Sequence, residues 1–339
     1  MTNRLLITGG TGFFGRALLR HFHAEAKRMS AGRPHDFSEI IVISRSPEAF
    51  ASRYPALAYA PWLRWVSADV GQRSTLDALL VGETVNAVLH AATDSTDAAA
   101  MSPCERLDQI VEGTRNVLDL AVRLKARRFL LTSSGGVYGA QPPDIEQIPE
   151  HCHSIPDPLN PAQAYSIGKR MAEHLCALYM QAQGLPILVA RCFAFVGPDL
   201  PLNVHFAIGN FIRDALWAED VTVNGDGTPL RSYLDQRDLA NWLLKLLMDG
   251  KSGEAYNVGS DEVVSISELA FMVRDLISPQ KSVRILGAPQ LSADRNRYVP
   301  DISKIYKHLG LRPTFSLKQS ILDTAEAAAK RGKEACLGV

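Results

Sequence analysis

Cysteine is scarce and scattered: Cys104, Cys152, Cys176, Cys192 and Cys336 are odd in number and form no CxxC pair in 339 residues. That pattern speaks against a disulfide framework and makes a reducing cytoplasm the expected setting. No run approaches the roughly 18 consecutive apolar residues that a membrane span needs. Neither sign of charge prevails, because 36 Lys and Arg balance 36 Asp and Glu. A nucleic-acid binder, which needs cations to neutralise phosphates, is therefore disfavoured. Aromatics reach only 7%, yet 46% apolar and 21% charged residues are ordinary globular proportions, which excludes disordered and collagen-like classes. The first residues run straight into a strand-like segment, so no secretory signal is expected.

What is present is alternation. Leu5-Leu6-Ile7-Thr8, Ile40-Ile41-Val42-Ile43, the surroundings of Trp65-Val66, residues 85–89, Phe129-Leu130-Leu131-Thr132 and Ile187-Leu188-Val189-Ala190 read as short apolar strands. Helical spacing occupies 12–27, 75–80 and 110–124 between them. Continuous apolar strands separated by amphipathic helices predict a doubly wound α/β fold, its parallel sheet covered on both faces. After about residue 195 the rhythm loosens. Strands at 221–223, 256–258 and 283–286 alternate with helices near 209–217, 237–248 and 266–277, predicting a smaller C-terminal α/β lobe. The Pro-rich segment 142–161 reads as a loop, and 326–339 as a fraying helix and tail.

Gly9, Gly12 and Gly15 lie in Thr8-Gly9-Gly10-Thr11-Gly12-Phe13-Phe14-Gly15, directly after the first strand. Glycines at this spacing permit a tight turn and close approach of backbone to a pyrophosphate, and the following helix start favours anions. The segment predicts a dinucleotide but no particular reaction. Asp69, just past the third strand, is placed either to accept from an adenine amino group or to sit in a solvated loop. The second strand ends in Ser44-Arg45-Ser46. NAD-selective sites usually carry an acid here, whereas arginine suits a 2′-phosphate, so NADP is favoured over NAD.

Tyr165-Ser166-Ile167-Gly168-Lys169 places a phenol and an ammonium on one helical face. A phenol titrates near ~10 and is a poor base at neutral pH, and a neighbouring ammonium stabilises its phenolate. Ser134, in Thr132-Ser133-Ser134-Gly135-Gly136-Val137-Tyr138-Gly139, leaves the fifth strand where such sheets bind ligands. Its hydroxyl suits a substrate carbonyl or alcohol.

Together these segments, with His90-Ala91-Ala92, Arg191 before Gly197-Pro198, the run from Gly225 to Leu234, Asp238-Leu239-Ala240, Tyr256-Asn257-Val258-Gly259 and Pro300-Asp301-Ile302-Ser303-Lys304, resemble the extended short-chain dehydrogenase/reductases. More narrowly, the chain is similar to their nucleotide-sugar epimerase/dehydratase branch. The resemblance implies a dinucleotide-binding Rossmann domain over 1–195 and a mainly substrate-binding lobe over 196–339, some of whose segments return to the main sheet. It implies NADP or NAD against Gly9, Thr11, Gly12, Phe13, Phe14, Gly15, Ser44, Arg45, Asp69, Val70, Ala91, Ala92, Thr132, Tyr165 and Lys169. Tyr165 becomes the acid/base, Lys169 its electrostatic partner and ribose ligand, and Ser134 the catalytic hydroxyl. Arg231 would grip the diphosphate of a nucleotide sugar, and Asn210 would either contact it or cap its own helix. The helices 105–125 and 165–183 would form a homodimer interface.

Departures narrow the reaction. The branch's 4,6-dehydratases carry an Asp–Glu pair where this chain has Gly135 and Gly136, and UDP-glucuronate decarboxylases carry a glutamate in that region. Both readings are disfavoured, leaving a 4-keto sugar reductase first and an NAD-dependent 4-epimerase second. Ala194, Ile110 and Leu291 stand where the branch has its usual Asn, Asn and Arg, with Arg295 or Arg297 as possible substitutes for the last. His151-Cys152-His153 lacks a second ligand pair for zinc, and Ser134 lacks a GxSxG elbow. His90 reads as a packed histidine. A non-catalytic dinucleotide sensor remains the reading from another class.

Overall fold

A computed structural model describes residues 3–29, 36–93, 101–204, 206–288, 296–333 and 336. In chain order the first elements are β1 (Arg4–Thr8), α1 (Phe13–Arg28), β2 (Glu39–Ser44), α2 (Pro47–Arg53), α3 (Pro55–Ala58), β3 (Leu63–Ser67), α4 (Arg73–Asp77), β4 (Ala87–His90), α5 (Pro103–Arg123), β5 (Arg128–Ser134), α6 (Ala164–Gln183) and β6 (Ile187–Cys192). There follow β7 (Phe195–Val196), α7 (Ala207–Trp217), β8 (Val221–Val223), β9 (Leu230–Arg231), β10 (Leu234–Asp235), α8 (Gln236–Asp249), β11 (Ala255–Val258), β12 (Val264–Ser265), α9 (Ile266–Ile277), β13 (Val283–Ile285), β14 (Arg297–Tyr298), α10 (Ser303–Leu309) and α11 (Leu317–Arg331).

Seven strands form one sheet in the order β11-β6-β5-β4-β1-β2-β3. The pairs among β1 to β6 are parallel. Strand order reverses between β1 and β4, the switch point at which open α/β sheets bind ligands. Leu5, Leu6, Ile7, Ile40, Ile41, Val42, Phe129, Leu130 and Leu131 are essentially buried, as a sheet covered on both faces requires. On one face, Leu6, Ile41, Val88 and Phe129 join Ile110, Val117, Leu118 and Ala121 of α5 and Ala172 and Leu175 of α6.

The helix over 110–124 starts seven residues earlier than its apolar spacing suggests. Ser102 accepts from the Glu105 backbone while the Glu105 side chain accepts from Ser102, and Pro103 occupies the first turn. That capping box sets the start of α5 ahead of the periodic run. A Cβ on Gly168 would lie 3.1 Å from Ile110 and 3.4 Å from Leu107, so α6 packs closely on α5 there. Tyr256–Val258, within the stretch 196–339 from which some segments were expected to return to the main sheet, belongs to β11 at that sheet's edge. Val189 N–H donates to the Glu254 carbonyl and Phe193 N–H to the Val258 carbonyl.

The chain packs as two compact units: Met1–Gly139, Pro156–Cys192 and Ala240–Tyr256 in the first, Ala140–Ile155, Phe193–Leu239 and Asn257–Val339 in the second. A single cut after residue 195 therefore misassigns 140–155. Ile148 bridges to Pro300, a pairing that local composition does not encode. The second unit holds three small sheets, β10-β7, β12-β9-β14 and β13-β8. Of the segment 326–339, expected as a fraying helix and tail, 326–331 is ordered helix, while 334, 335 and 337–339 lie outside the described residues. α11 runs to Arg331, with Ile321 and Ala328 fully buried.

Candidate active site

Parallel strands end together, and three of these ends assemble a polar cluster. Thr8 closes β1, His90 closes β4 and Thr132, Ser133 and Ser134 close β5. The Thr8 hydroxyl lies 2.7 Å from His90 Nδ1, and His90 Nε2 lies 3.3 Å from the Thr114 hydroxyl. Thr114 donates its own proton to the Ile110 carbonyl. His90 therefore donates through Nε2 and accepts at Nδ1. Burial lowers its pKa to about 3, with the Lys169 charge acting in the same direction. The ring is a neutral strut, as its packed reading anticipates.

The glycine turn divides into packing and open positions. Gly9 has a positive φ of 76°, and a Cβ there would meet the Ala91 carbonyl oxygen at 2.4 Å. On Gly10 it would meet Val42 Cγ1 at 2.2 Å, and on Gly15 the Gly10 backbone at 2.2 Å. Gly12 has only the Gly9 carbonyl oxygen, at an ordinary 3.5 Å, and is exposed at the N-cap of α1. Gly9, Gly10 and Gly15 let the turn lie on β2 and β4, while Gly12 leaves backbone open for a ligand. Sequence spacing overlooks Gly10, because its partner Val42 is 32 residues away on β2.

Around this turn, Thr11 accepts from Arg16 through its carbonyl, and the Phe13 and Phe14 rings are tilted against each other with centres 6.0 Å apart. Ala91 and Ala92 N–H donate to the Thr8 carbonyl and hydroxyl. Asp69 Oδ1 accepts from Gly71 N–H at 2.9 Å, and the Val70 carbonyl accepts from Asn116. Ser44 ends β2 and Arg45 beyond it is exposed. Thr132 is buried, its hydroxyl donating to the His90 carbonyl and its carbonyl accepting from Lys169. Its polar groups act on the site through Lys169.

The catalytic candidates meet in the first unit. Ser134 lies beside Tyr165, where its hydroxyl favours the phenolate, and the Ser134 oxygen accepts from Gly136 N–H at 3.0 Å. Tyr165 keeps part of its surface in solvent. Burial of its hydroxyl pushes the phenol up to about 12, although Ser134 and Arg106 oppose the shift. Lys169 is 3% exposed, with Nζ donating to the Thr93 hydroxyl at 2.8 Å and the Thr132 carbonyl at 2.9 Å. Burial brings this ammonium down to about 8.

Beside this pair, Glu173 pairs with Arg191, which donates to the Tyr138 hydroxyl at 2.9 Å. Burial works against the Arg191 charge, but Glu173 more than offsets it. Sequence inspection passes over Glu173, although its place one turn beyond Lys169 is the available signal.

Arg231 and Asn210 belong to the second unit. Arg231 donates to the Leu230 and Asn296 carbonyls; burial lowers its pKa, while Tyr233 and Tyr298 oppose the shift. Asn210 is not a cap. α7 begins at Ala207, and the Asn210 side chain accepts from Arg213 at 3.0 Å. Arg297 lies in β14, opposite Leu230, while Leu291, Asp294 and Arg295 fall outside the described residues.

The features of the first unit fit a nicotinamide dinucleotide: the open Gly12 backbone, the uncapped start of α1 and a buried Lys169 with two of its three N–H groups engaged. The family model for the NAD dependent epimerase/dehydratase family matches residues 5–259. UDP-glucuronic acid decarboxylase 1 from Danio rerio is 30% identical over 324 residues, covering 95% of this chain and 72% of that protein. The crystal structure of DesIV, a dTDP-glucose 4,6-dehydratase from Streptomyces venezuelae with NAD and TYD bound, superposes with a TM-score of 0.78. It is 26% identical, and the match covers 97% of this chain and 98% of that one. UDP-glucose 4-epimerase from Thermotoga maritima gives 0.78 at 21% identity, over 96% and 99% of the two chains. A doubly wound parallel sheet, a glycine turn and a Tyr165–Lys169 pair beside Ser134 thus occur in a chain that belongs to the NAD dependent epimerase/dehydratase family.

Proposed function

We propose that the protein interconverts a ketone and an alcohol at C4 of a nucleotide-linked sugar, working as a 4-keto sugar reductase. One observation carries this reading: Ser134, Tyr165 and Lys169 are assembled with no carboxylate in the adjoining turn. Gly135 and Gly136 follow Ser134, and a Cβ on Gly136 would lie 2.7 Å from Ser166 Oγ. That crowding leaves little room for the acid an elimination across C5 and C6 requires, so the 4,6-dehydratase reading stays disfavoured.

The bound nicotinamide supplies or accepts the hydride. Gly12 and Asp69 would hold the dinucleotide on the turn that Gly9 and Gly15 pack in place, and Lys169 its ribose. Arg45, exposed just after β2, suits the 2′-phosphate of NADP. Ser134 orients the substrate oxygen, and Tyr165 exchanges its proton. With its pKa near 12 the phenol is protonated at neutral pH, the state needed to give a proton to a ketone being reduced. Lys169 stabilises the phenolate left behind. In the second unit, Arg231 would take the substrate's diphosphate.

A second reading retains NAD and regenerates it each turnover, as a nucleotide-sugar 4-epimerase or a UDP-glucuronate decarboxylase. Similarity to UDP-glucuronic acid decarboxylases along 95% of the chain favours it. A ketone at C4 makes the C5 carboxylate a β-keto acid, which loses carbon dioxide without a further enzymic carboxylate. The intact catalytic trio weighs against a dinucleotide sensor.

Mass spectrometry of the dinucleotide released from purified protein tests these readings, followed by turnover with a nucleotide 4-keto-6-deoxysugar or UDP-glucuronate. NADPH consumption supports the reductase. Stoichiometric bound NAD with epimer or carbon dioxide formation supports the second reading. No affinity for either dinucleotide overturns both. The same proposal includes a homodimer through α5 and α6, where Met171 and Leu178 are each 45% exposed and seven residues apart on α6. Sedimentation of the wild type against Leu178→Glu tests it.

A further inference from the structure

Lys169 presents an electrostatic problem that its direct contacts do not solve. It is buried, and among the described residues the oxygens it touches, the Thr93 hydroxyl and the Thr132 carbonyl, are neutral. A buried ammonium without an anion nearby loses its proton readily, yet the phenolate of Tyr165 needs a cation beside it.

Among the described residues, the titratable and charged groups around Lys169 come from three elements. Tyr165, Glu173 and Cys176 lie on α6, His90 ends β4, and Cys192 and Arg191 lie on β6. At neutral pH most of them carry no charge. Burial raises the Tyr165 phenol and the Cys192 thiol to about 12 and takes Cys176 higher still, while His90 is neutral above about 3. Arg191 is a cation, engaged by Glu173. Among the described residues Glu173 remains as the anion, and it raises the Lys169 pKa.

Its carboxylate is held firmly. Oε1 accepts from the Ser133 hydroxyl at 2.6 Å and from Arg191 Nε at 3.1 Å, while Oε2 accepts from Arg191 Nη2 at 2.8 Å. The Arg191 guanidinium also lies over the Tyr138 ring, 4.8 Å from its centre. Ser133 immediately precedes Ser134, so the same carboxylate fixes the end of β5 that presents the catalytic hydroxyl.

We propose that Glu173 is a positioning residue: its carboxylate keeps the Lys169 ammonium charged and, through Ser133, holds the end of β5 in place for Ser134. Tyr165, Lys169 and Glu173 follow one another at single-turn intervals on α6, so the charge of Glu173 reaches the phenol through the ammonium. The consequence for proton transfer rests on the function proposed above; the charge coupling does not.

The test is a double-mutant cycle of unfolding free energies on the full chain: wild type, Glu173→Gln, Lys169→Met and the double variant. Measurements at about pH 6 and about pH 10 bracket the Lys169 titration. At the lower pH, neutralising Glu173 is expected to reduce the folding equilibrium constant roughly tenfold more when Lys169 is present than when it is Met. At the higher pH that difference disappears. Equal coupling at both pH values, or none at the lower, overturns the proposal, since a purely structural role gives no such pH dependence. If Glu173→Gln does not fold, Glu173→Gln is combined with Arg191→Met throughout the cycle, leaving no unpaired guanidinium, and the same readout decides. No ligand is needed, so failure here is separate from failure of the proposed reaction.

Discussion

Tyr165 and Lys169 stand one helical turn apart on α6, with the Lys169 ammonium 5.9 Å from the centre of the Tyr165 ring. Burial displaces their pKa values in opposite directions, the phenol up to about 12 and the ammonium down to about 8. Both shifts favour the uncharged form, so the pair resists becoming phenolate and ammonium until bound ligands contribute to its field.

Replacing Tyr165 by Phe removes the proton donor but keeps the ring. Turnover is expected to fall at least about 100-fold, a usual scale for loss of a general acid. Dinucleotide affinity should change little, because the aromatic ring at position 165 remains and the other ligands, on the turn and on Lys169, are untouched. Steady-state rates and fluorescence titration with NADPH check both halves.

His90 makes the folded protein sensitive to acid. Burial takes its pKa from the ordinary 6.5 down to about 3 on folding, so the unfolded chain binds the proton first. The stability contributed by neutral His90 is fully present above about pH 6.5 and is lost as pH falls towards 3. Denaturant unfolding across that window should steepen for the wild type and flatten for His90→Asn.

The glycine turn predicts a separation of stability from binding. Gly10→Ala puts a methyl against Val42 Cγ1 and should cost about 1–3 kcal/mol, the usual scale of overpacking. Val42→Ala in the same chain should recover part of that loss. Gly12→Ala has the space it needs and should leave the melting temperature nearly unchanged while weakening dinucleotide binding.

Asp238 is a motif residue whose observed work is structural. Its carboxylate accepts from Thr314 N–H, the Thr314 hydroxyl and Phe315 N–H, at 2.8, 2.6 and 3.2 Å. Asp238→Ala removes these three bonds and should destabilise the second unit by about 1–2 kcal/mol, because Thr314 is exposed and water replaces part of what is lost. Dinucleotide affinity of the folded variant should be unchanged. Calorimetry together with NADPH titration tests this.

Gly136 links the turn after β5 to α6. Gly136→Ala is expected to reduce turnover, because its methyl displaces Ser166 Oγ or the Ser134 hydroxyl 3.3 Å away. Ser166→Gly should restore it. An unaffected rate in the single variant would show that the turn yields without disturbing Ser134.

The sequence by itself determined the alternation of elements, the dinucleotide turn and the Tyr165–Lys169 face. Each is written in local spacing: apolar runs for buried strands, glycines for a tight turn, an i to i+4 interval for a shared helical face. The start of α5 was also available locally, in Ser102 and Glu105, but a capping box lies outside the apolar periodicity used to find a helix. Asn210 with Arg213 is likewise an i to i+3 pair inside α7 that local spacing already offers. Only the tertiary structure decided that β11 joins the main sheet and that 140–155 packs with the second unit. The same holds for Gly10 against Val42 and Glu173 against Arg191. Their partners are distant in sequence, and chain folding selects them by burial and hydrogen-bond satisfaction, which no local pattern encodes.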